Sequence, residues 1–158
     1  MKPVWKRVLL TWLLVGTADL TAAYIDQFIK TGKFADKMLY YIAGGGLGLE
    51  RSMQGGFGIG LLGLVFHYFI AFSFTLLFFL AYPRLKFQYL SKPTLYAIGF
   101  LYGPFIGLFM KFIVLPLTKL PHTPFVFQKA IVGWLVLSIV IGIPVAISAS
   151  GYYNKRLK

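Results

Sequence analysis

Four apolar stretches, 8–29, 57–81, 94–117 and 127–150, occupy most of this chain of 158 residues, and each meets the roughly 20 residues needed to cross the hydrocarbon of a bilayer. That length is the strongest constraint on the fold. With 58% hydrophobic residues and a mean hydropathy of +0.76, the chain holds more apolar side chains than a water-soluble core of its size covers. The spans are expected to be helices. A barrel strand alternates strictly over about 10 residues, whereas 61–65 and 139–143 are apolar throughout or broken only by glycine. A helix satisfies its own backbone where water is absent. The expected fold is an all-α integral membrane bundle of four transmembrane helices, one domain over 1–158.

Sixteen Lys and Arg against four acidic residues give a net charge of +12. In a soluble protein such an excess points to nucleic acid, but here the basic residues flank the apolar stretches, where anionic lipid headgroups are the natural partner. No soluble domain with interleaved aromatic residues is present to carry a nucleic-acid site. With four spans the two termini and the second connection share one side, and they hold nine of the sixteen basic residues against seven elsewhere. This balance places both termini in the cytoplasm. The opening residues, basic Lys2, Lys6 and Arg7 before the apolar 8–15, also have the form of a secretory leader. Asp19 and the continued apolar pattern to Ile29 favour a retained first helix. The lack of cysteine excludes disulfides, thiolate metal sites and cysteine nucleophiles.

One connection is long. Residues 30–56 begin charged and amphipathic, with Phe34, Asp36, Lys37, Met38, Tyr40 and Tyr41, and continue into a glycine-rich run over 44–56. The first part reads as a short interfacial helix with aromatic rings at headgroup level. The second reads as a flexible hinge into the second span, since a phosphate-binding loop of the Walker type needs a Gly-Lys-Ser/Thr ending that is missing. Pro83, Pro93, Pro121 and Pro124 punctuate the other two turns and make neighbouring helices antiparallel.

Small residues mark the inner faces. Gly60 and Gly63 lead to His67 in the second span, and Gly99, Gly103 and Gly107 recur every fourth residue in the third, ending on Lys111. Such ridges let helices approach closely. Asp19 and Asp26 lie on one face of the first span. At about 1.5 Å per residue, Asp19 falls near the midplane and His67 within roughly 3 Å of it, while Asp26 and Lys111 lie roughly 8–11 Å away on the same side. The expected pairings are Asp19 with His67, and Asp26 with Lys111. Ser138, central in the fourth span, is a neutral partner for the first pair. Charges at such depths face the bundle interior and pair. A carboxylate and an imidazole there are parts for a proton relay, or equally a hydrogen-bonded fastening between two helices. His122, between Pro121 and Pro124, reads as a loop residue.

Catalytic readings find little to build on. A zinc or di-metal site needs three or more ligands, and Asp19, Asp26 and His67 form only a loose set. Ser73 lacks a positioned base, and no cofactor-binding motif is present. The runs YIAGGGLG at 41–48, GLLGLVFHYFIA at 60–71, LYG at 101–103 and FIVLPLT at 112–118 resemble a group of small four-helix bacterial membrane proteins, loosely similar to the YagU-like inner-membrane proteins. The resemblance covers about residues 15–150. It implies a bacterial inner-membrane location and, for the YagU-like branch, a link to acid tolerance, with His67 and Pro116 as shared residues. Lys111 departs from the pattern, which has a neutral polar residue there. Two functions are expected to compete. One is a homo-oligomeric channel or transporter for protons or another small ion, using Asp19 and His67 with Asp26 and Lys111 at its outer mouth. The other is a non-enzymatic accessory or envelope-stress protein, bound to a membrane partner, whose polar groups only fasten helices.

Overall fold

The computed structural model describes residues 3–154, together with every side chain among them except that of Lys129. The flanking basic residues Lys2, Lys155, Arg156 and Lys158 lie outside the described residues. Four helices are long and apolar enough to cross a membrane, Val4–Thr31, Phe57–Arg84, Lys92–Leu117 and Ala130–Tyr153, within a few residues of the expected limits. Less than a third of each is buried inside the bundle. The outward faces carry Leu10, Leu14, Ile29, Phe57 and Leu117, as a lipid-facing surface requires.

Helix α1 (Val4–Thr31) starts after Pro3, whose fixed φ suits a helix entrance. It stops at Gly32, which adopts φ 65° and donates its N–H to Phe28 O. Helices α2 (Met38–Leu47) and α3 (Leu49–Ser52) follow, then α4 (Phe57–Arg84). Helix α5 (Lys92–Phe109) is capped by Ser91, whose hydroxyl accepts the Thr94 N–H. The third span continues through a wide π turn at Met110–Val114 to Leu117. The fourth span is α6 (Phe127–Leu137), a second π turn at Ser138–Gly142, and α7 (Ile143–Tyr153). Each π turn ends two residues before a proline, Pro116 or Pro144. A proline ring collides with the carbonyl four residues earlier, and the widened turn absorbs the collision.

Two other prolines explain how the fourth span is held. Pro83 cannot donate to Phe79 O, and Pro104 cannot donate to Phe100 O. Both freed carbonyls accept a hydroxyl from the fourth span: Tyr153 Oη–H donates to Phe79 O at 3.1 Å, and Ser138 Oγ–H to Phe100 O at 2.6 Å. In lipid no water is present to fill these positions, so a neighbouring helix must do so. Ser138 is fully buried and also lies 2.8 Å from Trp134 O, so its bonds run to the third span and to its own helix rather than to Asp19 or His67. This corrects its expected place beside that pair. Ser138→Ala is expected to destabilise the bundle by about 1–2 kcal/mol, near the upper end for a membrane hydrogen bond because it orphans a carbonyl. Denaturation with sodium dodecyl sulfate from mixed micelles measures the loss.

The glycine ridge of the third span packs against the fourth in antiparallel register. Gly99 faces Gly142 and Ala146, Gly103 faces Ser138, and Gly107 faces Trp134. A Cβ on Gly103 would fall 2.3 Å from Ser138 N, and one on Gly142 only 2.0 Å from Gly99 O. The remaining core, toward the end of the bundle bearing the chain termini, is aromatic. Phe78, Phe79, Tyr82, Val15 and Val145 are at most 2% exposed, and Tyr82 stacks on Tyr153 at 5.2 Å.

The long first connection differs from expectation. Gly44, Gly45 and Gly46 are not hinge residues but lie within α2, which begins only at Met38, after the charged stretch. The hinge glycines are Gly48, Gly55 and Gly56, all at positive φ. The short helix expected between the first two spans is α2, and it packs against the bundle. Ala43 and Gly44 are buried, Leu39 lies against Gly63 of α4, and Gly45 O accepts the Lys119 N–H at 2.9 Å. Gly63 is six residues into α4, so α2 packs roughly 9 Å along that helix from its start. Its run of ten residues without a charge suits that position.

Candidate functional site

Helix α1 packs on α4, and the fourth span packs on both α1 and α5. The second and third spans, by contrast, meet mainly through large side chains. Tyr102 Oη–H donates to Phe74 O at 2.7 Å, and the Tyr102 and Phe78 rings lie 4.9 Å apart. Toward the α2 end the two spans leave a cleft of about 590 Å³. Phe66, Phe69, Ile70 and Phe74 of α4, Ile106 and Met110 of the third span, and Leu137 and Ile141 of the fourth form its walls. Tyr41, Ile42, Gly45 and Gly46 of α2 close one end, with Thr118 and Leu120 beside them. Phe69 on its rim is 67% exposed, on the face turned to lipid.

Two ionisable groups of the spans reach this otherwise apolar space, Asp19 and His67. Both expected partners line the cleft and interact electrostatically, although no hydrogen bond or close ion pair joins them. His67 Nε2–H donates to Gly16 O at 2.8 Å. A carbonyl only accepts, so Nε2 carries the proton and Nδ1 is left as the basic nitrogen. Gly16 makes this possible, because a Cβ there would lie 3.1 Å from the Tyr68 ring and 3.3 Å from Ala71 Cβ. The same interface holds a bond from Trp12 Nε1–H to Tyr68 O at 2.7 Å and one between Thr17 Oγ1 and Tyr68 Oη at 2.7 Å. Asp19 is half-buried, three residues beyond Gly16, and forms no ion pair with a described residue.

The second expected pair is not formed. Asp26 binds Lys30 at 2.6 Å, an exposed pair on successive turns of α1. Lys111 reaches the connection after its own span, where Nζ donates to Thr123 O at 2.5 Å and to Thr123 Oγ1 at 3.0 Å. Matching depth does not place two residues on facing sides, and each found a nearer partner along its own chain. Gly60 and Gly63 both face α2, Gly60 near the Tyr40 ring and Gly63 against Leu39. No group of three or more metal-ligating side chains occurs among the described residues.

Sequence reasoning missed the cleft's far wall. The signal was available in 38–47, an uncharged run bearing three glycines for close contacts. Together the fold and the cleft define a multi-pass helical membrane protein with an apolar internal site. Comparison with protein-family models, with curated proteins and with solved structures finds no match to the chain.

Proposed function

We propose that the cleft takes up a small, largely apolar molecule directly from the bilayer and holds its polar end at Asp19 and His67. On this reading the protein is a binding or carrier protein for a membrane-dissolved compound, in a bacterial cytoplasmic membrane by its resemblance to the YagU-like proteins. The carrying observation is the cleft itself. It has drug-sized volume, apolar walls and two polar groups at mid-span, the general form of a small-molecule site. Passage of protons or ions through a single copy has less support. Beyond the cleft the core is filled by Phe78, Phe79 and Tyr82, and the hydroxyls of Tyr82, Tyr102 and Tyr153 are bonded within the bundle. Conduction would have to run between copies.

Binding of the neutral fluorophore N-phenyl-1-naphthylamine to protein in lipid nanodiscs tests the reading. Ile70→Trp replaces an aliphatic side chain of the cleft wall with a bulky ring. Saturable binding to the wild type, reduced about tenfold or more in Ile70→Trp, is expected. Equal binding to both, or none above empty nanodiscs, would refute the site.

A further inference from the structure

We infer that the groove between α1 and α7 binds an anionic phospholipid, with its phosphate on Arg7 and an acyl chain along Leu10, Leu14 and Ile147. The groove shares no lining residue with the cleft, so the inference stands apart from the reading above. Arg7, Leu10, Thr11 and Leu14 form one stripe of α1, and Pro144, Ile147 and Ser148 the facing stripe of α7, around a space of about 370 Å³. Arg7 Nε–H donates to Ser148 O at 3.4 Å at one end. Leu14 lies seven residues, about 10 Å, deeper along α1. Helix α1 has 28 residues and a length of about 42 Å, more than the roughly 30 Å of hydrocarbon. Arg7, in its first turn, therefore sits at headgroup level, while Leu10, Leu14 and Ile147 are exposed at acyl depth.

Charge complementarity names the occupant. The four acidic residues are Asp19, Asp26, Asp36 and Glu50, and the ion pair among the described residues joins Asp26 to Lys30, so Arg7 meets no carboxylate there. Its Nη2 lies over Gly151, 3.0 Å from where a Cβ would stand. The terminal amino groups of the guanidinium donate to no described residue and are the donors left to the groove. The neighbouring hydroxyls offer none. Thr11 Oγ1–H is spent on Arg7 O, which only accepts, and Ser148 Oγ–H on Thr11 Oγ1. A planar cation with open donors above an apolar trough matches a phosphate carried on an acyl chain. Residues 1–10 and 150–158 hold six basic and no acidic residues, so the ammonium of a zwitterionic lipid finds no counter-charge in them. A net-negative headgroup such as that of phosphatidylglycerol is favoured.

Native mass spectrometry of the detergent-solubilised protein, titrated with phosphatidylglycerol or with phosphatidylcholine of the same chains, tests the site. The inference expects one phosphatidylglycerol to be held about tenfold or more tightly than phosphatidylcholine, with the ratio falling to about one in Arg7→Gln. Arg84→Gln, which removes a basic side chain at the same end of the bundle but outside the groove, should leave the ratio unchanged. Ile147→Trp, which sets a bulky ring on the exposed wall, should weaken phosphatidylglycerol about tenfold. Equal affinity for the two lipids, or an equal loss in Arg84→Gln and Arg7→Gln, overturns the inference. Inorganic phosphate that displaces the lipid and binds Ile147→Trp undiminished overturns the lipid as occupant. So does a dimer that forms in place of the lipid complex and is lost in Ile147→Trp, since the groove then holds a second copy of the chain. Should Arg7→Gln fail to purify as a monodisperse protein, wild-type protein in liposomes is labelled with phosphatidylglycerol or phosphatidylcholine bearing a diazirine on the acyl chain. Adducts on Leu10, Leu14 and Ile147 that come about tenfold more from the glycerol lipid support the inference, and equal labelling by both refutes it.

Discussion

Gly103→Leu is expected to prevent assembly of the bundle, at a cost of about 3 kcal/mol or more, the upper range for overpacking. The side chain would enter where backbone meets backbone. A single Cβ at Gly103 falls 2.3 Å from both the nitrogen and the hydroxyl of Ser138 and 2.6 Å from its Cα. Two of these three atoms are backbone and cannot turn aside, so the third and fourth spans must separate. Separation also breaks the Ser138 bond to Phe100 O, the carbonyl that Pro104 leaves without a donor. Gly133 gives the control. It lies in α6, yet a Cβ there meets nothing within 4 Å. Gly133→Ala is expected to be neutral or to stabilise by up to about 1 kcal/mol through helix propensity. Detergent-solubilised yield, monodispersity and resistance to sodium dodecyl sulfate distinguish the two. A Gly103→Leu protein as stable as the wild type would contradict the packing described.

The second large effect is expected at Gly63, where α2 rests on α4. A Cβ at this position would lie 2.0 Å from Leu39 O and 2.8 Å from Leu39 C, so Gly63→Leu must push α2 out of the bundle. The native chain has no cysteine, which makes a reporter simple to place. Ala43 is fully buried in α2, and cysteine differs from it by a single sulfur atom. Ala43→Cys should react slowly with a maleimide in the wild-type background and about 10–100-fold faster with Gly63→Leu, in line with about 1–3 kcal/mol of lost packing. Equal rates would mean that α2 does not depend on Gly63.

Much of the fold was legible in the sequence, for reasons that differ by element. The spans were readable because length and hydropathy are set by the bilayer itself. Gly99, Gly103 and Gly107 announced a close contact through their spacing of four, but a ridge does not name its partner. That partner emerges only when Ser138 and Gly142 are seen at the matching spacing on the fourth span. The role of Ser138 had a local signal in Pro104, four residues beyond Phe100, and needed three dimensions to complete. Depth along a helix was estimated well enough to bring Asp19 and His67 into one cleft. The same reasoning failed for Asp26 and Lys111, since depth carries no information on azimuth and both found partners along the chain. The glycines at 44–46 were misread because glycine signals both flexibility and close packing. An uncharged run of ten residues favoured the second.

The central claim is that the cleft between the second and third spans is open to the bilayer and occupied from it. Photolabelling in liposomes with the apolar reagent adamantyl diazirine, followed by mass-spectrometric mapping, tests it most directly. The account predicts adducts concentrated on Phe69, Ile70, Ile106 and Met110, and their loss from Ile106 and Met110 when Ile70→Trp fills the space. Labelling spread evenly over the lipid-facing residues Leu10, Leu14 and Ile139, with Ile106 and Met110 unmodified, would contradict it.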